Sequence, residues 1–143
     1  MTVLLDVNVL VAIAWPNHVH HVAARSWFAD KRFDGWHTSS LTQSGFIRIS
    51  SNQRFTPDAR TPMEAGMLLS KLCALPEHSF VPDSVDLLQG LDEFPGVVNG
   101  NSQVTDFQLI LIARSVNAHF VTFDRAAATM SQSMNVASVL LTL

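Results

Sequence analysis

The chain alternates short apolar runs of strand length with longer stretches whose apolar residues recur at helical spacing, and that alternation restricts it to α/β architectures. The first run, "MTVLLD", is apolar up to its closing aspartate and suits a parallel strand covered on both faces. "VNVLVAIAW" follows as a short helix, which Pro16 ends by disfavouring helical geometry at Trp15. In "HVHHVAARSWFAD" the spacing of Val19, Val22, Ala23, Trp27 and Phe28 predicts a helix with a buried stripe. "FDGWHTSS" reads as a turn and a second strand, and "SSLTQSGFIRIS" as another helix. The next helix has a marked start in "TPMEAGMLLSKLCAL", with Thr61 as N-cap, Pro62 at the first helical position and Glu64 closing a capping box.

"HSFVPD" supplies a third strand and "SVDLLQGLDEF" a short helix. The looser "PGVVNGNSQ" is expected to be an exposed loop. "VTDFQLILIARSV" is a strongly apolar helix, "AHFVTF" a strand, "DRAAATM" a short helix and "ASVLLTL" a last strand. The expected fold is therefore an α/β sandwich of three layers, with a mostly parallel central sheet flanked by helices. With 143 residues and no linker or repeat, the chain is expected to form a single domain over residues 1–143.

Cys73 is the only cysteine, so nothing in the chain calls for disulfides. No apolar run reaches the roughly 18 residues of a membrane-spanning helix, and the N-terminus lacks the basic start and small-residue cleavage site of a signal peptide. A soluble, cytoplasmic protein without membrane contact is expected. The net charge of −3 gives no overall pull toward a polyanion, but it is unevenly divided. Residues 1 to 71 hold seven Lys/Arg against five Asp/Glu, and residues 72 to 143 hold two against seven. Arg25, Lys31, Arg32, Arg48, Arg54 and Arg60 are the candidate contacts for a polyanion, and a merely solvated surface is the other reading of each. The trio His18, His20 and His21 has residues at i and i+2, which point to different sides of a helix, and so is a poor metal site.

Three aspartates stand where strands meet helices. Asp6 ends the first strand, Asp124 ends the strand "AHFVTF", and Asp106 lies in the first turn of the apolar helix. Each has an ordinary explanation. Asp6 and Asp124 can cap the helices that follow them, and Asp106 can favour a helix dipole within a Thr105–Gln108 capping box. The fold places all three along one edge of one sheet, the edge at which ligands of such sheets bind. Carboxylates brought together repel unless one takes up a proton or a cation joins them. Hard divalent cations with oxygen ligands fill that need, and they serve acidic substrates because they invert the local field.

Taken in order, "LLDVNVL", "TQSGFIRI", "VTDFQLILIA" and "FVTFDR" resemble the motifs of PIN-domain ribonucleases, most closely the VapC-type toxins of bacterial toxin–antitoxin pairs. The resemblance spans essentially the whole chain, and it is the ordered set rather than any single motif that is specific. It implies a PIN-like fold and an endoribonuclease toxin of a type II toxin–antitoxin system, dependent on Mg²⁺ (or Mn²⁺). It further implies that Asp6, Asp106 and Asp124 hold the metal, that Asn8 steadies the Asp6 carboxylate, and that Thr122 and Arg125 line the phosphate path. A homodimer, an RNA substrate and a cognate VapB-type antitoxin seated in a groove beside the active site follow from the same resemblance. Trp15 and Trp27 are candidates for that groove, with the core as the stronger reading of each.

Where the family usually carries a glutamate, in a helix starting "T-E-x-G-F", this chain has Gln43. Its amide oxygen can order a metal-bound water but carries no charge, and Ser40 with Gln43 also forms a possible capping box. Gln43 therefore keeps a second reading open: a non-catalytic PIN-like module that binds RNA or protein through a degenerate acid cluster. A phosphatase or phospho-acceptor domain on a similar sheet fits less well, because "DVN" supplies one acid after the first strand where that chemistry uses a pair.

Overall fold

A computed structural model of the protein describes residues 1–142. Its five strands are β1 (Val3–Leu5), β2 (Trp36–Ser39), β3 (His78–Val81), β4 (His119–Thr122) and β5 (Ser138–Leu140). The α-helices among the described residues are α1 (Val7–Ala14), α2 (His21–Lys31), α3 (Ser40–Ser50), α4 (Pro62–Cys73), α5 (Leu87–Glu93), α6 (Val104–Ser115) and α7 (Arg125–Ser133). The strands pair in the order β3-β2-β1-β4-β5, and every pairing is parallel. Chain order thus reverses beside β1: β2 and β3 extend to one side, β4 and β5 to the other. The crevice at the carboxyl ends of β1 and β4 is the switch point at which such sheets bind ligands.

Strand alternation divides the core between the two faces. Val3, Leu5 and Trp36 point to the face covered by α1, α2, α3 and α4, where they pack with Leu10, Ile13, Phe28 and Phe46. Leu4 and Phe120 point to the opposite face, against Phe107, Ile110, Met130 and Met134 from α6 and α7. The result is the expected three-layer sandwich. No helix among the described residues is long and apolar enough to cross a membrane.

Several boundaries follow the local chemistry read from the sequence. Trp15 is extended, with φ −105° and ψ 110°, and ends α1 one residue before Pro16. Thr61 and Glu64 form the reciprocal capping box of α4, with Pro62 at its start.

Four local expectations are corrected. The helix expected to begin near Val19 starts at His21, because the chain turns over residues 16–20 after the proline. His21 Nδ1 lies 2.8 Å from the Ala12 carbonyl, and Ala24 and Phe28 carry the buried stripe of α2. Val19 and Val22 are left 77% and 81% exposed. At α3 the capping pair is Ser39 with Thr42, one residue before the Ser40–Gln43 pair. At α6 a 3₁₀ turn over Asn101–Gln103 runs straight into the helix, whose N-terminus has no side-chain cap, so Thr105 and Gln108 form no capping box. The last strand is shorter than residues 137–143, and residue 143 lies outside the described residues.

Candidate metal centre

Asp6 is fixed from both sides. Its backbone N–H donates to the Val121 carbonyl at 2.9 Å, tying the end of β1 to β4. Its carboxylate caps α1, with Oδ1 accepting the Val7 N–H at 2.7 Å. Oδ2 accepts the hydroxyl of Thr122 at 2.7 Å. The residue is only 7% exposed, and burial raises its pKa above the ordinary value; the Thr122 and Val7 bonds pull the other way, and the charge of Asp124 adds to the rise.

Thr122 is fully buried and joins two of the acids. While its hydroxyl donates to Asp6, its oxygen accepts the Asp124 N–H at 3.0 Å. Asp124 caps α7, its Oδ1 accepting the N–H groups of Ala126 and Ala127 at 2.8 and 3.2 Å. That leaves Oδ2 facing outward from an exposed residue. The capping roles read from the sequence for Asp6 and Asp124 are therefore real, and they do not compete with a shared site. One oxygen anchors the helix, and the anchoring aims the rest of the carboxylate.

Asp106 has no cap to serve. It sits half-buried in the first turn of α6, and its pKa is pushed up to about 6 by burial first, then by the charges of Asp6 and Asp124. The carboxylates that follow β1 and β4 thus lie close enough to the one in α6 for the charges of Asp6 and Asp124 to oppose ionisation of Asp106. Among the described residues no three His, Cys, Asp or Glu side chains close into a ready-made cage for an ion. A donor set made only of carboxylate oxygens, charged against itself and open on one side, fits a hard divalent ion held through one or two carboxylates and otherwise through water.

The remaining site candidates are placed differently. Asn8 is exposed on the first turn of α1 and lines a cavity that runs away from the acids along that helix. Arg125 is exposed as the first residue of α7, next to Asp124. Gln43 donates from Nε2 to Thr38 Oγ1 at 3.1 Å, and that oxygen is 2.8 Å from His78 Nε2. By strand alternation Thr38 shares the face of Trp36 and Leu5, whereas Asp6 and Thr122 continue the face of Leu4 and Phe120. Trio members His18 and His20 lie in the turn before α2; His18 Nδ1 accepts the His20 N–H, and His20 stacks on Phe123 at 4.5 Å.

Sequence reasoning missed the side of α3 that faces α6. Ser40 and Ser44, one helical turn apart, line a groove of about 200 Å³ with Ser39, Asp83 and Gln108, beside the end of β2 that neighbours Asp6. The i, i+4 spacing of two small polar residues was the available signal, and it is indistinguishable in sequence from an ordinary solvated face.

The model of the PIN domain matches residues 3–131 of the chain. Ribonuclease VapC39 of Mycobacterium tuberculosis is 44% identical over 128 residues, which cover 90% of this chain and 92% of that protein. Ribonuclease VapC38 of the same organism is 42% identical over 129 residues, covering 90% and 89%. Among solved structures, VapBC2 from Rickettsia felis bound to a DNA fragment from its promoter superposes with a TM-score of 0.69 at 14% identity, covering 99% of this chain and 100% of that one. FitAcB from Neisseria gonorrhoeae superposes with a TM-score of 0.62 at 15% identity, covering 95% of each chain. With its sheet order, its three acids at the switch point and these relatives in agreement, the chain belongs to the PIN-domain family.

Proposed function

We propose that the protein is a divalent-metal-dependent endoribonuclease, the toxin of a type II toxin–antitoxin pair, folded as a single domain over residues 1–143. The observation that carries the reading is the convergence of Asp6, Asp106 and Asp124: burial first, and then the charges of the other two acids, push Asp106 up to about 6. A chain gains nothing in stability from such repulsion, so its presence points to a cation that offsets it. The relatives named as ribonucleases give the substrate class.

In this reading Asp6, Asp106 and Asp124 hold Mg²⁺ or Mn²⁺, which when bound supplies an activated water and stabilises charge on the phosphodiester in the transition state. Thr122 keeps Asp6 aimed and ties its position to that of Asp124 through a single hydroxyl. The N–H groups of Ala126 and Ala127 hold Asp124 Oδ1, so Oδ2 is the oxygen left to face the site. Arg125, exposed beside Asp124, is placed to meet a substrate phosphate. Gln43, with its amide nitrogen committed to Thr38, acts on the α4 side of the sheet rather than at the acids.

A VapB-type antitoxin belongs to the same proposal, supported by VapBC2 and FitAcB among the structural neighbours, and a homodimer and a cytoplasmic location are proposed with it. The competing reading, a non-catalytic module that binds RNA or protein, is favoured by the lack of a closed metal cage among the described residues. Incubating the purified protein with total RNA separates the two. The nuclease cuts in Mg²⁺ and stops in EDTA, whereas a binding module retards RNA without cutting it under either condition.

A further inference from the structure

A cavity of about 250 Å³ lies between α1, the end of α3 and the connection from α3 to α4. Asn8, Val11 and Trp15 share one face of α1 and form its long wall. Asn8 stands two residues after Asp6 in the chain, and from Asn8 the cavity runs about 10 Å along the helix to Trp15. We propose that this cavity is a nucleobase pocket, taking an unpaired nucleotide that flanks the scissile phosphate of the RNA. The inference rests on the ribonuclease reading and adds to it the place where the substrate is read.

The lining has the two properties that recognition of unpaired RNA requires: flat apolar surface for stacking and polar groups for base edges. Trp15 is buried, and its Nε1–H donates to Ser50 Oγ at 3.0 Å, so the indole offers the cavity only apolar surface. Phe55 is 69% exposed at the other side. An aromatic ring left in water costs apolar exposure, and here it is held there by an ordered turn. The Phe55 N–H donates to the Asn52 carbonyl at 3.0 Å and the Arg54 N–H to Asn52 Oδ1 at 2.9 Å.

The same lining holds Asn8, Asn17, His18 and Thr56. His18 Nδ1 accepts the His20 N–H, so the neutral imidazole carries its proton on Nε2, a donor available to a base. The asparagines and the threonine offer both donors and acceptors. No carboxylate lines the cavity; the nearby Asp58 carboxylate accepts from Asn17. Arg48, Arg54 and Arg60 lie in α3 and the same connection, in the more basic half of the chain, a charge complementary to a polyanion at this end. A docking site for an apolar protein anchor would not need four hydrogen-bonding side chains around two rings.

The test is fluorescence anisotropy of a labelled single-stranded RNA against the uncleaving Asp106→Asn protein, with Phe55 intact or replaced. Phe55→Ala should weaken binding roughly five- to a hundredfold, the scale of one lost base stack, and Phe55→Trp should restore it. An oligonucleotide made abasic at one position should lose affinity for the Phe55 protein by a similar factor and bind Phe55→Ala unchanged. Equal affinities of the Phe55 and Ala proteins overturn the pocket, as does failure of the protein to bind RNA at all. So does a variant that loses only its antitoxin, which would make the cavity a protein site. Cleavage by the protein with Asp106 intact is scored separately. Phe55-dependent binding without cleavage sinks the nuclease and keeps the pocket, and cleavage with a KM indifferent to Phe55→Ala does the reverse.

Discussion

The hydroxyl of Thr122 donates to Asp6 Oδ2 at 2.7 Å across 116 residues of chain, and its oxygen accepts the backbone N–H of Asp124 at 3.0 Å. One buried side chain therefore sets the separation of two acids that arrive on different strands. Thr122→Val keeps the shape and removes both bonds. It should cost about 1–3 kcal/mol, the scale of leaving buried partners unsatisfied. It should also raise the Mg²⁺ concentration needed for cleavage, since Asp6 loses the bond that favours its charged form. Urea denaturation and metal titrations of cleavage check the two effects, and Thr122→Ser should restore both in large part.

Asp106 gives the metal-free protein a characteristic pH dependence. Its carboxyl titrates near about 6 in the fold against 3.8 as the ordinary value. Between those values the folded state holds a proton that the unfolded chain has lost, so stability falls as pH rises through that window. Asp6, also raised, acts in the same direction. Asp106→Asn should flatten the fall and leave the metal-free protein more stable than wild type at pH 7. Urea denaturation of both proteins in EDTA across pH 4 to 7, read as the difference between them, measures it. Added Mg²⁺ should favour the ionised form and reverse the sign for wild type alone.

Gln43 is predicted to matter for packing rather than for the metal. Its amide bonds Thr38, which is fully buried and within hydrogen-bond distance of His78. Gln43→Ala should cost about 1 kcal/mol, the usual net value of a hydrogen bond, and leave the Mg²⁺ dependence of cleavage where it was. Gln43→Glu should not lower the Mg²⁺ requirement. A shift of the metal curve by either substitution would return Gln43 to the site as the residue that orders a water.

Gly45 tests how tightly the metal centre depends on helix packing. A Cβ at this position would lie 2.6 Å from Val7 Cγ2, and Val7 follows Asp6 directly. Gly45→Ala should therefore push α1 away from α3, costing about 1–3 kcal/mol as overpacking does, and lower cleavage through Asp6. Val7→Ala opens the space. The double variant should recover activity that Gly45→Ala loses, and independent additive losses would separate the helix contact from the site.

The layer order and the metal-site candidates were legible because they depend on patterns that tertiary structure rarely overrides. Short apolar runs such as "VLL" and "HFVT", alternating with helical patterns, suit buried parallel strands, and an aspartate after such a run caps the next helix here in both cases. Choices between adjacent residues were not legible. "SSLTQ" holds two overlapping capping boxes, and the frame is set by Thr42, whose buried side chain bonds back to Ser39 and leaves Gln43 facing Thr38. Val19 and Val22 fit a helical stripe on paper, but the turn after Pro16 and the contact of His21 with Ala12 point them to solvent. Asp106 read as part of a Thr105–Gln108 capping box. The 3₁₀ turn that leads into α6 removed that role and left the carboxylate to its like-charged partners.

The central claim, that three mutually repelling aspartates are held together by a divalent ion to cut RNA, is tested most directly by one titration. Initial rates of cleavage of a single labelled RNA are measured against Mg²⁺ for wild type, Asp6→Asn, Asp106→Asn and Asp124→Asn. Wild type should show a saturable Mg²⁺ dependence abolished by EDTA, and each variant should lose cleavage while its fold is kept or made slightly more stable. Cleavage by all three variants at the wild-type rate, or by wild type in EDTA, would contradict it.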